Sequence, residues 1–225
     1  MPFPGATGEG LKIAVIDSGV NMSHPHIISK TSNVVLAGDA SADELGHGTA
    51  VMAAIQEKAP AAEYFALKLF GNSLTAASSL MLQALEWSIE NGMNLVNLSL
   101  GTSNYGVRPA LESLLRRAGM AGVIVVSARY ANRRPVLPGI LQGVVSVDVD
   151  WQLNRHCFAQ AGNHSSPYFL ASGYPRPLPG MPLTKNLSGI SFAVANMTGL
   201  IARACPRSGF QSLGELERLL STASA

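Results

Sequence analysis

The sequence predicts a single α/β domain over residues 1–225: a three-layer sandwich with a mostly parallel central sheet flanked by helices. Two observations predict it. Short apolar runs alternate along the chain with segments of helical period. Those runs are too evenly apolar for strands with one face in water, and so fit a sheet buried on both sides. The composition agrees: hydrophobic residues make up 47% of 225 residues, enough for a large core and too many for a disordered chain.

In chain order, "LKIAVID" (11–17) and "NVVLAGD" (33–39) read as strands ending in turns. "GTAVMAAIQEK" (48–58) is alanine-rich, stops before Pro60 and reads as a helix. "EYFALKLF" (63–70) is a strand. Residues 73–91 form the clearest helix, with Ala77, Leu80, Met81, Ala84, Leu85 and Ser88 at threes and fours and Gly92 as a stop. "NLVNLSLG" (94–101), "VIVVSA" (123–128) and "GVVSVDV" (143–149) are strands, and 108–122 is a helix with a proline near its start. A helix follows Gly189 and ends at Pro206, and an amphipathic helix spans about 212–222. The proline- and glycine-rich stretch 173–182 reads as a surface loop.

Several function classes are excluded at this level. The net charge is +2 with scattered basic residues, which is no nucleic-acid footprint. No apolar run is long enough for a membrane span, and no signal-like core opens the chain, so a soluble, cytoplasmic protein without a propeptide is expected. Cys157 and Cys205 are far apart and form no metal motif; they read as thiols rather than a bridge. His24 and His26 sit in a "SHPHI" loop without a third ligand at diagnostic spacing, and Asp39, Asp43 and Glu44 read as a solvated loop. No cofactor or metal is expected.

In sheets of this kind the chemistry gathers at the carboxyl ends of the strands. Asp17 ends the first strand in "AVIDSG"; it is either a turn former or a carboxylate held to orient a histidine. His47 lies between glycines in "GHGTAV" at a helix start, as a loop residue or as a base whose backbone neighbours allow close approach. Ser191 follows "SGI" at the start of the last long helix, as a cap or a nucleophile. A serine needs a base, and the base needs a carboxylate to fix its tautomer. Asp, His, Ser is one of the known chain orders of such a triad.

With these residues in place, the chain resembles the subtilisin-like serine proteases, the subtilases. The resemblance rests on "AVIDSG", "GHGTAV", "NLVNLSLG" and "SGISFAVA", and extends from about residue 11 to 205. It implies that Asp17 orients the imidazole, that His47 is general base and then acid, and that Ser191 is the nucleophile. It also implies that Ser99, Leu100 and Gly101 pair with substrate backbone. Asn132 matches the family's oxyanion donor, with a loop cap as the alternative reading, because "NRRPVLPGILQGVVSV" continues as the family does.

The departures are specific. Arg129, Tyr130 and Ala131 replace small residues before Asn132, near the expected S1 pocket. Ile190 stands where the family has threonine, Ala195 and Asn196 where it has proline and histidine, and Ala50 where it has a second histidine. The expected function is a serine endopeptidase acting through an acyl-enzyme on a peptide or protein, with the processing of one dedicated precursor as the expected role. The alternatives are a peptide-binding pseudoprotease, motivated by Ala131, Ile190 and Asn196, and a peptide cyclase or transferase on the same fold.

Overall fold

Strand β1 (Lys12–Asp17) lies inside an eight-stranded sheet. On one side it pairs in parallel with β3 (Glu63–Lys68), which pairs with β2 (Thr31–Val35). On the other side follow β4 (Leu95–Leu98), β5 (Ile124–Ala128), β8 (Val144–Val149) and β10 (Ser166–Ala171), all parallel. β9 (Phe158–Asn163) closes that edge antiparallel to β10. β6 (Tyr130–Ala131) and β7 (Arg134–Pro135) form a separate small hairpin. The computed structural model describes residues 2–36, 43–69, 78–163, 166–206, 209–210 and 212–223.

Alternate residues of one strand face opposite sides of a sheet, and β1 follows that rule. Ile13 and Val15 join a core with α1 (His47–Gln56), α4 (Ile190–Ala204) and α5 (Leu213–Ala223). Ala14 and Ile16 join a second core under α2 (Ser78–Glu90) and α3 (Arg108–Met120). Both faces of the sheet are therefore covered, which is why its strands are apolar throughout. This is the three-layer α/β sandwich expected from sequence.

The differences lie at the edges. The described part of the second helix begins at Ser78, and residues 73–77 of the expected helix lie outside the described residues, as do 37–39 of the second expected strand. The β9–β10 hairpin was not anticipated. "FAQAGN" carries no sustained alternation, and Gly162 (φ 85°) makes a close turn in which a Cβ would sit 2.5 Å from Ser166 O.

Helix α4 is buried on all sides from Phe192 to Ala202, as a helix with apolar residues all round must be. It packs against α1 through a buried polar contact. Lys58, just past α1, is fully buried, and its Nζ donates to Asn196 Oδ1 at 2.7 Å and Ala54 O at 3.1 Å. Its aliphatic stem lies against Gly199, where a Cβ would come within 2.9 Å of Lys58 Cδ. Asn196 Nδ2 donates to the carbonyls of Ser172 and Tyr174 at 2.8 and 3.0 Å, and Arg203 donates to Lys58 O at 3.0 Å. Glu57, which is also paired with Arg155, supplies the nearby negative charge.

Burial pushes the Lys58 ammonium down to about 7, against the pull of Glu57. Above that pH the folded chain holds a neutral lysine while the unfolded chain still binds the proton. Raising the pH therefore favours the folded state until the unfolded lysine also titrates. Urea unfolding is predicted to show this as a gain on the order of 2 kcal/mol between pH 7 and 9. The gain is predicted to flatten in Lys58→Met, and an unchanged slope in that variant would contradict the assignment.

Candidate active site

Asp17 is the last residue of β1 and is only 2% exposed. Its Oδ1 accepts from the Ser18 backbone N–H at 2.8 Å and lies 2.7 Å from His47 Nδ1. A carboxylate only accepts, so Nδ1 carries the proton and Nε2 presents its lone pair. Burial lowers the affinity of His47 for a second proton. The Asp17 hydrogen bond and charge, with the charge of Asp43, outweigh burial and leave its pKa above the ordinary value.

Gly48 makes this approach possible. A Cβ there would lie 2.2 Å from Gly19 O and 3.2 Å from the Asp17 Cβ, so only glycine lets α1 begin against the turn after β1. Asp43 holds the helix start in place. Its carboxylate accepts from Ser18 Oγ (2.7 Å), from the backbone N–H groups of Leu45 (3.2 Å), Gly46 (2.9 Å) and Thr49 (2.8 Å), and from Thr49 Oγ1 (2.5 Å). Ser18 Oγ in turn accepts from Gly48 N–H at 2.9 Å. This corrects the reading of Asp43 as part of a solvated loop. It satisfies donors that a helix start leaves unpaired, and it adds negative charge beside the imidazole. Its position six residues before Thr49 was the available signal. Glu44 is exposed, and Asp39 lies outside the described residues.

Ser191 is the second residue of α4 and is partly exposed. Its Oγ donates to Ser99 O at 3.2 Å, and Ser99 Oγ donates back to Ser191 O at 3.3 Å. Behind this clasp, buried Asn97 donates to Ser99 Oγ at 2.8 Å and accepts from Thr198 Oγ1 at 3.0 Å. The end of β4 and the start of α4 are thus locked together, with Leu100 and Gly101 continuing outward from Ser99. The His47 ring lies 5.7 Å from the ring of Phe192, the residue after Ser191. The geometry therefore pairs Asp17 with His47 directly, pairs Ser99 with Ser191 directly, and joins the two pairs through Phe192. The single Ser191 hydroxyl proton is directed to the strand carbonyl and not to His47.

Asn132 and Arg133 form the tip of the β6–β7 hairpin with φ 50° and 62°, the backbone that a two-residue primed turn requires. Asn132 is exposed and lines a cavity of about 520 Å³ with Tyr130, Asp148, Gly189 and Ile190. It therefore shares a wall with the residues that lead into Ser191. Arg129 turns away, its guanidinium 4.6 Å from the Tyr168 ring centroid and its Nη1 3.3 Å from Ser146 Oγ. Of the replaced residues near the expected S1 pocket, Tyr130 faces the cavity and Arg129 does not. Cys157 and Cys205 are free thiols.

The fold is an α/β sandwich with its polar groups gathered at the carboxyl ends of adjacent parallel strands. The chain belongs to the Subtilase family, whose model matches residues 8–220. Over 219 residues it is 32% identical to Subtilisin Savinase of Lederbergia lenta, covering 87% of this chain and 73% of that one. It is equally similar to an alkaline protease of Shouchella clausii, of which it spans about half the length (52%). Among solved structures, the prenylagaramide maturation protease PagA shares the fold at TM-score 0.68 and 21% identity, covering 90% of this chain and 79% of the other. A lanthipeptide protease shares it at TM-score 0.75 and 17% identity, covering 96% and 80%. Among the described residues no helix is long and apolar enough to cross a membrane.

Gly48→Ala is predicted to push α1 off the β1 turn and break the His47–Asp17 contact. In an imidazole NMR titration, the His47 midpoint should then fall from above the ordinary 6.5. Unfolding should also show a loss of about 1–3 kcal/mol from overpacking. A midpoint that stays raised would contradict the close-approach role.

Proposed function

We propose that the chain is a serine endopeptidase in which Ser191 attacks the peptide carbonyl, His47 takes and returns the proton, and Asp17 holds His47 in the Nδ1–H tautomer. The single observation that carries this reading is the 2.7 Å contact between His47 Nδ1 and Asp17 Oδ1 at the end of a buried strand. It leaves Nε2 as the free base, on a ring packed against the residue next to Ser191. The hydroxyl must leave Ser99 O to reach that base, a side-chain rotation that bound substrate would favour by taking the strand carbonyl for itself. The positive dipole end of α4 at Ser191 favours a developing oxyanion there. Asn132, across the cavity from Gly189 and Ile190, is the proposed side-chain donor. For the substrate we propose a peptide precursor, a reading supported by the names of the maturation and lanthipeptide proteases that share the fold.

The Ser191–Ser99 bond favours one second reading, a protein that binds peptide without turning it over. A fluorophosphonate probe separates the two. The enzyme reading predicts a stoichiometric adduct on the wild type and none on Ser191→Ala; no adduct on either chain leaves the binding reading standing. Asn132→Ala is predicted to lower turnover roughly 10²–10³-fold if it is the oxyanion donor, and to leave it unchanged if it serves only the hairpin turn.

The pH dependence has a definite sign. His47 works as a base only when neutral, so kcat/KM should rise with pH through a midpoint above 6.5. The stability that His47 contributes runs the other way: it is present below the unfolded pKa and lost as pH rises through the folded one. Asp17→Asn removes the largest raising influence, so any residual acid limb should move to lower pH. A limb that stays in place would mean that another group controls it.

A further inference from the structure

Asn196 stands where the resemblance expects histidine, and its partners show what an amide does there that an imidazole would not. An amide side chain offers one acceptor and two donors. Oδ1 accepts from Lys58 Nζ at 2.7 Å, and Nδ2 donates to Ser172 O at 2.8 Å and to Tyr174 O at 3.0 Å. The two carbonyls can only accept, so a single orientation of the amide satisfies all three partners. Lys58, itself held by Ala54 O at 3.1 Å, favours that orientation from the other end. An imidazole has two ring nitrogens and could not meet three partners.

The two carbonyls flank Gly173, and Gly173 O accepts from the Gly189 backbone N–H at 2.9 Å. Gly189 is the residue before α4, and its own carbonyl accepts from the Phe192 N–H at 3.1 Å. A relay of hydrogen bonds therefore runs from the middle of α4, through the Ser172–Tyr174 segment, back to the residues around Ser191. The segment has little room to shift: a Cβ at Gly173 would lie 2.6 Å from Trp151 Cζ3 and 2.7 Å from Val149 Cγ2. Residues 174–188 form the loop between the two glycines. It is exposed from Met181 to Lys185, and the N–H groups of Met181, Lys185 and Asn186 bond locally to Leu178, Pro182 and Leu183. The Gly189–Gly173 bond closes this loop at its base, two residues before Ser191.

The relay bears on the reaction because of what the Ser191 hydroxyl must do. It is bonded to Ser99 O and has to leave that carbonyl to reach His47. The Gly189–Gly173 bond joins backbone groups, so it holds the helix start while the side chain turns. Asn196 and Ser172 are fully buried, so water does not compete for the bond between them.

We propose that Asn196 is a positioning residue for Ser191: it fixes the Ser172–Tyr174 segment, which holds the Gly189 N–H and with it the start of α4, while Lys58 orients the Asn196 amide. The effect on reactivity rests on the proposed protease function; the relay to Gly189 does not.

The test compares the wild type with Asn196→Asp and with the pair Lys58→Met/Asn196→Leu. Aspartate keeps the acceptor for Lys58 and loses both donors. The pair removes the polar contact without leaving a lysine buried alone, a replacement that folds commonly tolerate. Amide exchange of Gly189 is read by NMR against Val126 in strand β5, which reports opening of the whole fold. Ser191 reactivity is read as the rate of fluorophosphonate labelling across pH. Relative to Val126, the Gly189 N–H should exchange at least about tenfold faster in both variants. The labelling rate on its alkaline plateau should fall by about tenfold to 10²-fold, the order of loss expected from a nucleophile displaced by about 1 Å. The pH midpoint should stay in place, because Asp17 and His47 are untouched. A loss of stability alone would move neither the Gly189 ratio nor the rate of the folded chain. A Gly189 ratio or a plateau that keeps its wild-type value in both variants, or a midpoint that moves, would overturn the proposal. If the wild type takes no label, the protease reading fails by itself. The Gly189 ratio then decides the relay alone: a raised ratio sustains it, and an unchanged one overturns it.

Discussion

The contact between His47 Nδ1 and Asp17 Oδ1 is the constraint on which the rest of the site depends. It joins the end of a strand to the start of a helix across 30 residues of chain. Neither group would hold its place alone. A buried carboxylate needs donors, and it finds them in the Ser18 N–H and the imidazole. The helix start must come close enough to give one, and it does so because residue 48 has no side chain. Asp43 then ties the same helix start to Ser18, so that the turn after β1 and the first turn of α1 move as one piece.

Helix α4 sets the second half of the site. It is buried along its length, and its position relative to α1 is held by a polar contact rather than by apolar packing alone. A buried lysine is costly, and replacing such groups by apolar ones often stabilises a fold. What Lys58 and Asn196 provide is a fixed geometry. Asn196 lies about one and a half turns past Ser191 and also holds the carbonyls of Ser172 and Tyr174, where the loop that leads back to α4 begins. The start of α4, the end of α1 and the loop after Ser172 thereby share one internal anchor.

Much of this was legible in the sequence, for physical reasons. A sheet covered on both faces writes its strands as apolar runs, and "LKIAVID", "NLVNLSLG" and "VIVVSA" were read as strands on that basis. Asp17, His47 and Ser191 stand at the ends of those elements and were read in order. Other features were not legible. The five hydrogen bonds of Asp43 depend on a loop folding back onto the helix it precedes, and an acidic residue in a loop looks the same whether solvated or enclosed. The Lys58–Asn196 contact spans 138 positions, so no local pattern announces it. The β9–β10 hairpin has no clean alternation because it is an edge, with one side largely in water. Arg129 was expected near the S1 pocket, yet its guanidinium lies over the rings of Tyr168 and Tyr130 and it does not line the Asn132 cavity.

A roomy cavity holding both Asp148 and Arg133 lies beside Gly189 and Ile190, just before Ser191. On the proposed protease function, the reaction depends on the contact between His47 and Asp17. The most direct test of that dependence is a double-mutant cycle on the rate of Ser191 phosphonylation, comparing Asp17→Asn, His47→Ala and the two combined. If Asp17 acts only through His47, the double variant should react no more slowly than His47→Ala. If the two losses simply multiply, Asp17 and His47 act independently, and the account of the site is wrong.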